Sequence, residues 1–199
     1  MIKVGVTGGI GSGKSTACRF FSACGAPVYD SDSRAKRLME EDAALCRALR
    51  LRFGEEVYSA DGCLDRARLA ARVFSDPEEL AALNALVHPA VMRDFGRWCG
   101  EHAAADYVVL ESAILFDAGL EGYVDRTVAV TAPLEERVAR TCRRDGATEE
   151  EVRRRIAAQL PEGELCRRAD HTLINMESDS LREQVARLDK LFRDENRKS

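Results

Sequence analysis

The chain has 199 residues, of which 45% are hydrophobic and 32% charged, and its formal net charge is -4. That length suits one compact domain with room for a small insertion and a sizeable core, and the composition is ordinary for a soluble globular protein. The mildly acidic balance argues against a general nucleic-acid binder, which needs a positive footprint, although a local basic cluster could still hold phosphates.

Ile2 to Thr7 is short, apolar and β-branched, as a buried parallel strand would be. A glycine-rich turn follows, and Ala17, Phe20, Phe21 and Cys24 then recur at helical spacing, which predicts a helix ended by Gly25 and Pro27. Ala26 to Tyr29 reads as a second strand running into Asp30-Ser31-Asp32. From roughly 33 to 102 helical patterns dominate, broken at Gly54 and at Ser59 to Gly62. Ser75-Asp-Pro-Glu78 reads as a helix start, with Leu80, Leu83, Leu86 and Val87 as its apolar stripe. Tyr107 to Leu110 and Arg126 to Thr131 are two more buried strands, and Pro133 opens a helix after the second. Gly146 breaks that helix, Thr148-Glu-Glu-Glu151 is a capping box for an arginine-rich one, and Thr172 to Ile174 is a fifth strand. Ser180 caps a last helix carrying Leu181, Val185, Leu188 and Phe192 on one face, with a frayed polar end from Asp194. Strands alternating with helices imply an α/β fold: a doubly wound parallel five-stranded sheet with a helical insertion.

Gly8-Gly-Ile-Gly-Ser-Gly13-Lys14-Ser15 fits the P-loop pattern at each fixed position, directly after a strand and before a helix. Gly8, Gly9, Gly11 and Gly13 let the backbone adopt positive φ and approach phosphate, so that the amides through Ser12 and Thr16 form an anion nest. The helix N-terminus adds its positive end, Lys14 places a cation against the β- and γ-phosphates, and Ser15 offers a hydroxyl to magnesium. A dinucleotide fingerprint fails here, because Lys14 stands where its third glycine belongs. The cofactors expected are therefore ATP and Mg2+.

A P-loop serves switches as well as kinases. The Asp-x-x-Gly and Asn-Lys-x-Asp patterns of GTPase switches are absent from the sequence. For a kinase, Asp30 and Asp32 lie where carboxyl ends of parallel strands face a ligand, and either could accept a hydroxyl proton or simply cap a helix. Arg137, Arg140 and Arg144, at i, i+3 and i+7, share a helix face, with Arg153, Arg154 and Arg155 shortly after. They read as a cationic lid over roughly 140–168, against the alternative of a solvated face paired with Glu135, Glu136 and Glu149 to Glu151.

Seven cysteines, odd in number and without a Cys-x-x-Cys pair, read as reduced thiols of a cytoplasmic chain. No apolar run approaches the roughly 20 residues of a membrane span, and no secretory leader pattern opens the sequence. Neither a membrane nor nucleic acid is an expected partner. A monomer is expected, though nothing in the sequence fixes the oligomeric state.

The segments Val6 to Thr16, Tyr29 to Asp32, Gly62 to Arg66 with Leu69 and Val73-Phe74, Leu86 to Pro89, Arg140, Arg144 to Gly146, Ile156 to Gln159, Ala169-Asp170 and Asn175 together resemble the dephospho-coenzyme A kinase family. The resemblance covers about residues 2 to 190. It implies a P-loop kinase fold with a core of 1–32 and 103–199, and an insertion at 33–102 that receives dephospho-coenzyme A. It implies Asp32 as general base on the ribose 3′-hydroxyl, Arg140 and Arg144 closing over the migrating charge, and Asn175 beside the adenine of ATP. Arg66 and His88 would contact the acceptor, although His88, before Pro89, could equally cap or end a helix. Two departures stand out. Glu111-Ser-Ala-Ile-Leu-Phe-Asp117 stands where many members show aspartate, then proline and leucines, then glutamate, so the acids are conservative swaps and the missing proline changes local shape only, and Met176-Glu177 stands where a glycine is usual. Neither is expected to touch the chemistry. A different small-molecule or nucleoside monophosphate kinase, and a regulatory nucleotide-binding module without transfer activity, are the competing readings.

Overall fold

The computed structural model describes residues 1–198 except 60, 74–75 and 177–180. The chain divides into two compact units, one of residues 1–30 with 102–199 and one of residues 31–101.

The first unit is built on strands β1 (Ile2–Thr7), β2 (Val28–Asp30), β3 (Tyr107–Glu111), β4 (Arg126–Thr131) and β5 (His171–Ile174). All pair in parallel, in the order β2-β3-β1-β4-β5, with Val4 opposite Val109 and Val6 opposite Val128. This is the doubly wound sheet that the alternating pattern predicts. Period-two alternation sends Val4 and Val6 of β1 into one core with Tyr107, Val109, Val128, Val130 and Leu173. Helices α1 (Lys14–Ala23) and α9 (Leu181–Asn196) cover that core with Ala17, Cys18, Phe21, Leu181, Val185 and Phe192. Tyr107 meets the ring of Phe21 edge-on at 6.3 Å and that of Phe192 at 5.5 Å, between centroids. Each buried ring contributes about 1.5–3 kcal/mol. Gly5 faces the opposite way and admits Leu115: a Cβ on Gly5 would lie 2.9 Å from the Leu115 Cδ2 atom.

Two boundaries differ from expectation for identifiable reasons. The second strand pairs from Val28 and not from Ala26, because Pro27 has no N–H for the ladder and contributes only its carbonyl, to the Val109 amide at 2.9 Å. Helix α9 continues to Asn196 where fraying is expected from Asp194. Arg193 secures the last turns through Asp189, Asp106 and the carbonyl of Cys24. Ser180, the expected cap, lies outside the described residues. Helices α6 (Leu134–Asp145), α7 (Glu149–Ala157) and α8 (Glu162–Arg168) lie between β4 and β5 in the chain. Gly146 ends α6 in the left-handed region at φ 66°, and Thr148 and Glu151 form both bonds of the capping box.

The second unit holds α2 (Ser31–Glu41), α3 (Ala43–Phe53), α4 (Arg66–Val73) and α5 (Pro77–Glu101). Its own core includes Leu38, Leu45, Leu49, Phe53, Val57, Leu69, Val73, Val91 and Phe95. Among the described residues its only extended pairing is an isolated bridge between Tyr58 and Leu64. Ser75, the expected cap of α5, and Phe74 are outside the described residues, whereas Asp76 accepts the Glu78 amide at 2.8 Å. Burial along α5 begins at Val87, while Leu80, Leu83 and Leu86 are half-buried. The helix runs through Pro89, so His88 neither caps nor ends it. A proline there costs about 3 kcal/mol. Burial of Val87, Val91, Met92 and Phe95 on either side, at about 1.5–3 kcal/mol each, outweighs that.

Candidate active site

In the first unit the turn between β1 and α1 forms the floor of the site. Of the four loop glycines, Gly11 and Gly13 take positive φ, 77° and 94°, while Gly8 and Gly9 do not. Gly8 is required for a different reason: a Cβ there would lie 2.5 Å from the Val130 carbonyl oxygen and 2.6 Å from the Ser12 hydroxyl. The hydroxyl of Ser12 is buried and has no protein partner. Lys14 and Ser15 open α1, where unpaired amides and the helix dipole favour an anion.

Lys14 Nζ and Ser15 Oγ both donate to the same oxygen of Glu111, Oε1, each at 2.7 Å. Glu111 ends β3, one strand over from the loop, and is buried. The acid that stands here as a conservative swap thus joins the side chains of Lys14 and Ser15. The available signal was an acid directly after a buried apolar strand, at the strand end where ligands bind in such sheets. One turn along α1, burial pushes the Cys18 thiol pKa well up, and the nearby Glu111 carboxylate adds to the effect.

A hydroxyl and a carboxylate meeting at one point are hard oxygen donors, which suits Mg2+. That ion takes one or two protein oxygens and completes its shell with water and phosphate oxygens. No group of three or more potential metal-ligating side chains occurs among the described residues, so an all-protein cage is not the arrangement here.

The arginines of α6 do not act as one face. Arg137 is buried and bonded to the P-loop, its Nε donating to the Ile10 carbonyl at 2.9 Å and its Nη1 to Glu162 at 2.7 Å. Arg140 is half-buried, with one nitrogen 3.3 Å from the Asn175 carbonyl and 3.4 Å from Glu136, and the other buried without a partner. Arg144 is exposed and grips Asp145 with two nitrogens. Arg155 also binds Asp145, and the two guanidinium groups hold that carboxyl well below the usual range. Arg153 pairs with Glu135 and Glu149, so for this residue the solvated-face reading applies. Asn175 donates its side-chain amide to the Ser12 carbonyl at 2.9 Å, and its own backbone amide binds the Thr131 carbonyl at 2.8 Å.

In the second unit, Asp32 lies exposed in the first turn of α2, two residues after β2 ends. Arg66 opens α4, exposed, and reaches Glu40 at 3.0 Å. His88 is half-buried in α5, and that burial lowers its pKa from 6.5. Sequence reasoning passed over Asp94, buried on α5, which accepts from Arg34 at 2.7 and 2.8 Å and also from Arg97. An isolated acid in a mixed helix gave no sign of this.

The dephospho-CoA kinase family profile matches residues 2–180. A dephospho-CoA kinase of Porphyromonas gingivalis is 42% identical over 189 residues, covering 94% of this chain and 93% of that protein. One of Corynebacterium diphtheriae is 39% identical over 186 residues, covering 92% and 93%. Among solved structures, a protein of Thermus thermophilus matches with TM-score 0.82 at 42% identity, over 94% of this chain and 95% of that one. A dephospho-CoA kinase of Campylobacter jejuni (TM-score 0.72, 20% identity, 98% of each chain) shares the fold. So does a shikimate kinase of Bacteroides thetaiotaomicron (TM-score 0.55, 15% identity, 96% and 97%).

Proposed function

The chain belongs to the dephospho-CoA kinase family, and on that premise we propose that it moves the γ-phosphoryl group of ATP to the ribose 3′-hydroxyl of dephospho-coenzyme A, giving coenzyme A and ADP. The observation that carries this reading is the Glu111 carboxylate bound at once by Lys14 and Ser15 at the head of α1. Such a cluster suits phosphoryl transfer, where catalysis is mostly positioning and charge stabilisation.

The loop amides from Gly8 to Thr16 hold the phosphates, and Lys14 turns from Glu111 to the β- and γ-oxygens. Ser15 and Glu111 would hold Mg2+, which would supply charge neutralisation at the phosphate oxygens. The Asp32 carboxylate takes the proton of the 3′-hydroxyl as that oxygen bonds to the γ-phosphorus and the bond to the β–γ bridging oxygen breaks, releasing ADP. Arg140, with a buried nitrogen still unpartnered, and Arg144, after exchanging Asp145 for phosphate, stabilise the migrating charge and exclude water. Asn175 serves the adenine side. The helices of 31–101, with Arg66 and His88, receive the acceptor. Seven unpaired cysteines suit a reducing cytoplasm, and no described helix is long and apolar enough to cross a membrane.

The test is ADP release from ATP and magnesium with dephospho-coenzyme A, AMP, adenosine or shikimate as acceptor. Turnover confined to dephospho-coenzyme A, with coenzyme A as product, is expected. Turnover with another acceptor alone overturns the substrate assignment, and nucleotide binding without any transfer overturns the kinase reading.

A further inference from the structure

The mechanism above employs Arg140 and Arg144 but gives no task to Arg137, the buried arginine of the same helix. Its Nε donates to the Ile10 carbonyl at 2.9 Å. From the far side of the lid segment, Gln159 Oε1 accepts the Ile10 amide at 2.8 Å. Both backbone groups of Ile10 are therefore held by side chains from outside the loop. Arg137 is itself oriented by Glu162 at 2.7 Å, and Glu162 also takes the Thr131 hydroxyl at the end of β4. The fit is tight. A Cβ on Gly9 would lie 2.2 Å from Arg137 Nη2, and one on Gly11 would lie 2.3 Å from the Arg137 carbonyl oxygen. Two of the loop glycines thus make room for α6 as well as for phosphate.

A P-loop attracts anions only while its N–H groups point inward and its carbonyls outward. Glycines on either side of Ile10 place little steric barrier against a peptide flip that would aim a carbonyl at the phosphates. The loop's own backbone offers the bond from Ser12 N–H to the Gly9 carbonyl, at 3.1 Å, as resistance. A charged donor on the Ile10 carbonyl adds a stronger one. We infer that Arg137 and Gln159 are positioning residues that keep the P-loop in its anion-binding form by holding the carbonyl and the amide of Ile10, with Glu162 keeping Arg137 in place. This rests on the nucleotide reading of the loop and deepens it: the affinity for phosphate depends on side chains that touch no phosphate.

The experiment measures Mg-ADP binding by calorimetry, and KM for ATP and for dephospho-coenzyme A, in wild type, Arg137→Met, Arg137→Lys and Gln159→Met. Loss of one hydrogen bond to a charged group corresponds to roughly tenfold or more. Arg137→Met is expected to raise the ADP Kd and the ATP KM by about tenfold, and Gln159→Met by about threefold, with KM for the acceptor unchanged. Arg137→Lys, which retains a cationic donor, is expected to recover part of the loss. Folded variants with wild-type ADP binding would overturn the inference. So would equal rises in both KM values, since a general distortion and not a loop-specific one would then be at work. Should Arg137→Met fail to fold by circular dichroism, Gln159→Met, at a half-buried position, decides the matter by the same readout. Wild-type protein that bound no ADP would overturn the nucleotide reading itself, a result distinct from a loss confined to the variants.

Discussion

The nucleotide unit and the helical unit differ in how deeply their candidate residues are buried. In the first, Lys14 and Ser15 bond to Glu111 while Arg137, Gln159 and Asn175 bond to the loop backbone, with Lys14 and Glu111 side chains only 13% and 10% exposed. In the second, Asp32 and Arg66 are exposed, and the partner of Arg66 is a surface carboxylate at 38% exposure. Triphosphates present the same shape whatever nucleoside carries them, so a fixed backbone cradle serves. In the proposed reading the acceptor meets side chains carried on helices.

Substitutions in the two units should therefore fail differently. The largest effect is expected from Asp32→Asn, which keeps ATP binding and lowers kcat by about 10²–10⁴, the usual contribution of a general base. Near-normal turnover by steady-state assay would remove Asp32 from the chemistry. Lys14→Ala is expected to lower kcat/KM for ATP by about 10²–10³, as for loss of one charge-stabilising group, and to weaken nucleotide binding as well. An unaltered ATP dependence would break the contrast at its nucleotide end. Arg66→Ala is expected to raise KM for dephospho-coenzyme A about tenfold with KM for ATP unchanged. Its effect on thermal stability should be slight, because exposed ion pairs contribute only about 0–1 kcal/mol. A shift in both KM values would show that the two units do not divide the substrates.

The smallest effect is a slope. Burial depresses the folded pKa of His88 below its ordinary 6.5. Above pH 6.5 the imidazole is neutral in both states, and as pH falls below 6.5 the unfolded chain takes the proton first, so stability is lost with acidification. His88→Gln should flatten denaturant-measured stability between pH 6.5 and the carboxylate range. Parallel curves for the two proteins would place His88 in a more solvated setting.

What could be read from the chain follows the same divide. Backbone requirements leave direct marks, so Gly11 and Gly13, the Thr148 capping box and the limits of β4 were legible as they stand. Side-chain encounters across the sheet leave none. Glu111 was visible as a strand-end acid, but that it meets Lys14, 97 positions away, and Ser15 depends on β3 lying beside β1. Arg137 shares its helical spacing with Arg140 and Arg144, yet spacing cannot tell that one of the three points into the protein. Pro89 misleads for the converse reason: a strong local helix breaker is overruled by packing on both sides, which no local pattern reports.

The shared bond at Glu111 Oε1 has one more consequence. With Lys14 held 2.7 Å away, the resting loop carries its own counter-anion. A stray inorganic phosphate or monophosphate has to evict a tethered carboxylate to win the ammonium. Any phosphate that takes the Lys14 ammonium therefore competes with a carboxylate already in place.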